Sequence, residues 1–153
     1  MTSADGYIRQ ETMMSIAINT VLSLAFFLLV FGRHGPVIVW GAGNYVFDFA
    51  AQGFMIALMA TLVPGSTAAR ALRAGKVAPV AAPLRLPANL VLRAVLLGAI
   101  GAAIGVLGSS AILSLAQLTH LSWWPTLITK LIFGAALAAA VTPIGLREAL
   151  IVR

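Results

Sequence analysis

The run Met13–Phe31, MMSIAINTVLSLAFFLLVF, is 19 residues long and carries no charge. A helix crossing the ~30 Å hydrocarbon core of a bilayer takes about 20 residues at about 1.5 Å each, so this run is of spanning length. It is longer than the roughly 7–15 apolar residues of a cleavable signal. The sequence after it, Gly32-Arg33-His34-Gly35-Pro36, offers no small-x-small cleavage site, so the span is expected to be retained.

Three further runs have the same character. The expected spans are 13–31, 44–63, 94–115 and 124–142, with Pro64 and Pro143 taken as terminators of the second and fourth. The second stretch is ambiguous, because Val37–Val63 covers 27 residues, or about 40 Å as a helix. Counting back about 20 residues from Pro64 places a helix start near Asn44, a good N-cap type, with Val37–Gly43 as a loop. One long tilted helix over 36–63 is the alternative. The runs are continuous rather than alternating, which argues against a barrel. Inside lipid only helices then satisfy the backbone. The expected fold is all-α: one integral membrane domain over 1–153, a bundle of four transmembrane helices.

Composition agrees. Of 153 residues, 61% are hydrophobic and 9% charged, with a mean hydropathy of +1.02. A soluble domain is about 25% charged, so a cytosolic enzyme and a disordered chain are both excluded. There is no cysteine, which removes disulfides, thiolate nucleophiles, cysteine zinc sites and Cys-ligated iron–sulfur clusters.

The net charge of +6 would suggest nucleic acid in a soluble protein. Here the cations fall between apolar runs, and no nucleic-acid partner is expected. With both termini in the cytoplasm, Arg9, Arg70, Arg73, Lys76, Arg85, Arg93, Arg147 and Arg153 lie on that side. Arg33 lies on the other, with Lys130 inside a span, as the positive-inside rule requires. Trp40, Trp123 and Trp124 then fall at the outer interface, where indoles prefer to sit. The expected location is a bacterial-type inner (plasma) membrane. The one sizeable hydrophilic stretch, the cytoplasmic loop 64–89, carries Pro64, Pro79, Pro83 and Pro87 among its cations. It reads as a short helix capped by Ser66 or Thr67 and ending at Gly75, followed by a Pro-stiffened linker that leans on anionic lipids.

At an offset of 79 residues, Phe54, Ala57, Leu58, Ala60 and Pro64 match Phe133, Ala136, Leu137, Ala139 and Pro143. Two tandem hairpins would give that match, and so would chance in a chain this rich in Ala and Leu. Gly98, Gly101, Gly105 and Gly108 form a seam along the third span, of the kind that lets helix backbones approach closely in lipid. Gly134, Ala135, Ala138 and Ala139 on the fourth span offer a matching surface. The seam is expected to join two helices within the chain or between copies.

Among polar residues, Asp48 and Lys130 lie deepest in spans. Intramembrane charge is costly and marks functional candidates. Asp48 falls in the first turns of the second helix, where the dipole favours an anion, and Lys130 lies shallow enough in the fourth to snorkel outward. An Asp48–Lys130 pair follows, with Arg33 as a competing cation and Gln52 one turn beyond Asp48. It is expected as a structural ion pair, or else as an ion- or proton-handling site. Asn19 and Thr20 read as packing residues. His34 and His120 share the outer face, but two lone histidines rarely ligate, so no metal and no cofactor is expected.

Met55-x-x-x-Met59 in the second span with Gly101-x-x-x-Gly105 in the third resembles the pattern of the eukaryotic copper-channel family. A fourth span, an inward N-terminus and the lack of a methionine-rich tail depart from that family, and the chain is not assigned to it. Gly41-Ala42-Gly43 starts a dinucleotide fingerprint but has Val46 at the third glycine position. The expected function is therefore that of a non-enzymatic accessory or homo-oligomeric membrane subunit. The rival is a small transporter or channel built on Asp48 and Lys130. A lipid-modifying enzyme, the third class, would require more interfacial polar residues than Arg33, His34, Asp48 and His120.

Overall fold

Long apolar runs become long helices, and the computed structural model, which describes residues 1–81 and 86–151, contains four of them. Helix α1 covers Ala4–Phe31, α2 Tyr45–Arg73, α3 Leu90–Leu115 and α4 Trp123–Ala149. All four are long and apolar enough to cross a bilayer. At 26–29 residues each exceeds the hydrocarbon core, so their ends reach the head-group layers. The chain is a multi-pass membrane protein of the four-helix class.

The helix limits correct the sequence reading in one respect. Pro64 and Pro143 lie inside α2 and α4 and do not end them. Each lacks one N–H, but in membrane helices neighbouring groups and hydroxyls take up the freed backbone. The carbonyls left without a donor are those of Ala60 and Ala139, four residues before each proline. The short helix expected after Pro64 is thus the end of α2, which stops at Arg73 with Gly75 in the left-handed region at φ +66°. Among the described residues of the 64–89 segment, those after Arg73 are non-helical, and Pro83, Arg85 and Arg153 lie outside the described residues. The ambiguity over 36–63 resolves as loop plus helix. Asn44 caps α2 by its backbone position, while its side chain donates to the Trp40 carbonyl at 2.6 Å.

One element escaped the all-α reading. Strands β1 (Val37–Ile38) and β2 (His120–Leu121) pair antiparallel, Val37 opposite Leu121. This ribbon joins the α1–α2 and α3–α4 connections at one end of the bundle. Trp40 Nε1 donates to the Leu118 carbonyl at 2.9 Å and Trp123 Nε1 to the Gly32 carbonyl at 3.1 Å, so two indoles fasten the same end. At the other end, Thr2 bridges Val77 and Val80 bridges Ile151. Thr2 and Ile151 therefore lie at the same end of the bundle.

Packing order follows neither sequence order nor simple hairpins. Helix α1 packs on α4, α4 on α2 and α2 on α3, while the consecutive pairs α1/α2 and α3/α4 barely touch. Exchanging α1 with α3 and α2 with α4 leaves this arrangement unchanged, so two α–β–α units are related by an approximate twofold. Burial fixes the register. The buried positions Tyr45, Val46, Phe49, Gly53, Ile56, Ala57, Ala60, Thr61, Pro64 and Gly65 of α2 recur 81 residues on, as Thr126, Leu127, Lys130, Gly134, Leu137, Ala138, Val141, Thr142, Gly145 and Leu146 of α4. Ser15, Asn19, Ser23 and Phe27 of α1 recur 78 residues on, as Arg93, Leu97, Gly101 and Gly105 of α3. The halves repeat in burial, but as interlocked units and not as tandem hairpins, and the 79-residue offset is corrected: it pairs buried Ala57 with exposed Ala136.

Candidate functional site

The α2/α3 contact carries the glycine seam. A Cβ added at Gly53 would strike the Gly101 carbonyl oxygen, and one at Gly101 would come 2.6 Å from the Gly53 carbonyl oxygen. A Cβ added at Gly98 would come 3.1 Å from the Phe54 carbonyl oxygen, and one at Gly105 3.0 Å from that of Phe49. The seam therefore packs on α2, not mainly on the fourth-span surface proposed from sequence, and its partner glycine is Gly53. A Cβ added at Gly108 would meet nothing within 4 Å, so this glycine takes no part. Packing within the chain uses the other three.

The α1/α4 contact is built differently. Only five residues of α1 are buried, Ile8, Ser15, Asn19, Ser23 and Phe27, and the middle three are polar. Thr142 Oγ1 donates to Ser15 Oγ at 2.8 Å, and Asn19 Nδ2 to the Ser15 carbonyl at 2.8 Å. A Cβ on Gly134 would strike Ser23 Oγ. At the twofold-equivalent place Gly101 meets Gly53, so one unit fills the contact with a hydroxyl and the other with bare backbone. Thr20 donates to its own Ile16 carbonyl at 2.8 Å, leaving Asn19 as the residue that faces the bundle.

Asp48 and Lys130 meet as expected. Lys130 Nζ lies 2.7 Å from Asp48 Oδ2. It also stands 3.6 Å from the Phe49 ring centroid and 5.0 Å from that of Tyr45, near enough for the ring faces to attract the cation. The expected snorkelling does not occur. Lys130 is 1% exposed against 23% for Asp48, because an anion and two rings inside the bundle hold the ammonium there. Asp48 occupies the first turn of α2, where the helix N-terminus favours a carboxylate.

Gln52 adds a third helix to the pair. Its Nε2 donates to Ser23 Oγ of α1 at 3.0 Å and to the Lys130 carbonyl of α4 at 3.1 Å. Its Oε1 is buried with no hydrogen-bond partner. Arg33 does not join: it is exposed in the turn after α1, and the pair forms without it. His34 and His120 are also exposed, and among the described residues no group of three or more His, Asp or Glu is placed to hold a metal.

A cleft of about 160 Å³ opens between α1 and α2, closed at its back by α4. Asn19, Ser23, Asp48 and Gln52 form its polar part, while Leu22, Phe26, Met55 and Met59 form an exposed apolar rim. The Met-x-x-x-Met pair thus borders a groove facing out of the bundle. A second cleft of about 380 Å³ takes the equivalent place between α3 and α4, bordered by Ile104, Gly108, Ile112, Thr129 and Phe133 and by no charged side chain.

Sequence reasoning missed Ser15, Ser23 and Gly53. The first two were visible as Ser15, Asn19 and Ser23, a polar stripe repeating every fourth residue on an otherwise apolar helix. It also treated Arg93 as a loop cation. Arg93 is 1% exposed and donates from Nη1 to the Pro87 carbonyl at 3.2 Å. Glu148 is buried as well. Comparison with known protein families, with characterised proteins and with solved structures finds no match for this chain.

Proposed function

We propose that the chain is a non-enzymatic component of a bacterial-type inner membrane, acting through packing as an accessory or homo-oligomeric subunit. The observation that carries this reading is where the polar residues go. Asp48, Lys130, Gln52, Ser23, Ser15 and Thr142 are all engaged in bonds, most of them between different helices. Such bonds hold a membrane bundle together, since lipid gives helices no hydrophobic drive to associate. In this reading both termini face the cytoplasm, with the tryptophan-fastened ribbon outside. The cationic end, with Arg70, Arg73, Lys76 and Arg147, rests on anionic lipid head groups.

Purification from mild detergent tests the proposal. A stoichiometric membrane partner, or a discrete oligomer by native electrophoresis, is the expected result. A monomer that conducts ions on its own would overturn it.

The α1/α2 cleft favours a second reading, a small transporter with a path past Asp48, Lys130 and Gln52. Proton or cation flux into vesicles containing the purified chain, abolished by Asp48→Asn in a folded protein, would establish it.

A further inference from the structure

We infer that the α1/α2 cleft is a binding site for an uncharged amphiphile bearing a hydroxyl head group, entered sideways from the bilayer. This goes beyond the packing role and requires no transport.

Shape comes first. Because α1 and α2 barely touch, a wedge opens between them, with α4 behind it and the Gln52–Ser23 bond across its floor. Its volume of about 160 Å³ is roughly ten times what a single water demands. The rim is apolar, and Met55 and Met59 are pliable enough to take an aliphatic chain.

The floor then selects the head group. Lys130 is sealed behind the pair at 1% exposure, whereas Asp48 remains 23% exposed and meets the ammonium through Oδ2 alone. The Gln52 amide donates inward, to Ser23 and to the Lys130 carbonyl. Asn19 likewise donates to Ser15. With those amide donors committed, what remains toward the cleft is mostly acceptor capacity, the second Asp48 oxygen and the Asn19 carbonyl, beside the Ser23 hydroxyl, which can accept or donate. A head group that donates, and can also accept, fits this floor.

Charge narrows the class. Asp48 and Lys130 together are neutral, so an ammonium head would lose its hydration without a net counter-charge. An anionic head would face the exposed carboxylate. A hydroxyl donates at much lower desolvation cost and draws its chain along the rim. Phosphatidylcholine has no hydrogen-bond donor and does not fit the floor.

The twofold supplies an internal control, since the α3/α4 cleft lies in the corresponding half and is larger, but has no charged lining. The test uses the full chain in phosphatidylcholine vesicles and a long-chain alcohol carrying a photoreactive diazirine midway along its chain. Saturable labelling is expected at Phe26, Met55 and Met59 in preference to Ile104 and Ile112. It should be displaced by unlabelled dodecanol but not by dodecane, dodecyltrimethylammonium or dodecyl sulfate. Ala51→Phe fills the cleft from an exposed position without removing any bond of the pair, and should abolish that labelling while melting is unchanged. Gly108→Phe, in the twin cleft, should leave it intact. Equal labelling of the two clefts would overturn the inference. So would labelling that survives Ala51→Phe in folded protein, displacement by a charged competitor, or cross-linking of a second copy at these residues in place of the probe.

Discussion

Lys130 and Phe49 hold the same place in the two halves of the chain, 81 residues apart. They also touch, with the Lys130 ammonium 3.6 Å from the Phe49 ring centroid. Contact between equivalent residues is what a twofold running between α2 and α4 requires. The symmetry is in backbone and burial, and the chemistry breaks it. One unit contributes a ring and the neighbouring Asp48, the other a cation that both of them hold.

This asymmetry ranks two substitutions. Asp48→Asn leaves the sealed Lys130 charge without its anion, and uncompensated buried charge costs about 3 kcal/mol or more. Lys130→Met leaves a partly exposed carboxylate at a helix N-terminus, a milder loss of about 1 kcal/mol. Melting in detergent should therefore fall further for Asp48→Asn. The reverse order would mean that Lys130 finds another partner.

Glycines in contact with backbone should be intolerant of side chains, and the open one should not. Gly53→Ala and Gly101→Ala force α2 and α3 apart and should each cost about 1–3 kcal/mol, as overpacking does. Gly108→Ala should stay within about 0.5 kcal/mol of the wild type. Thermal melts of the three variants check both statements.

The polar stripe of α1 should contribute in small steps. Ser15→Ala removes the acceptor of Thr142, and Ser23→Ala that of Gln52. Each should cost about 0.6 kcal/mol, the average for an interhelical hydrogen bond in a membrane. The two should add, because they lie two helical turns apart. A cost several times larger for Ser15→Ala would show that Asn19 also depends on it.

Topology can be read independently. Reporters fused at Met1 and after the final residue should both give cytoplasmic signals, and a reporter in the Gly32–Pro36 turn the opposite one. Termini on opposite faces would contradict the shared end at which Thr2 and Ile151 lie.

The four spans were legible because length and apolarity alone decide what crosses a bilayer. The Asp48–Lys130 pair was legible because charges in apolar runs are few and these two fall at similar depth. Helix ends were misread where Pro64 and Pro143 were given the meaning they carry in water, although a packed membrane helix tolerates the one hydrogen bond a proline removes. The repeat was found at the wrong offset because Ala and Leu identities carry little information, whereas burial, invisible in a sequence, aligns Gly53 with Gly134. The seam lost its partner for a related reason: Gly53 is a lone glycine, and nothing in its neighbours marks the approach of Gly101. Arg33 was excluded by the turn that points it outward, a geometry with no compositional trace.

A double-mutant cycle on Asp48→Asn and Lys130→Met, with melting and ion flux measured on the same vesicles, tests most directly whether the polar core serves as a clasp. The expected result is a double variant much less destabilised than the two single losses together, since neutralising both partners removes the stranded charge, with no flux from any of the four proteins. Strictly additive or negligible losses, together with wild-type flux that disappears on Asp48→Asn, would contradict it.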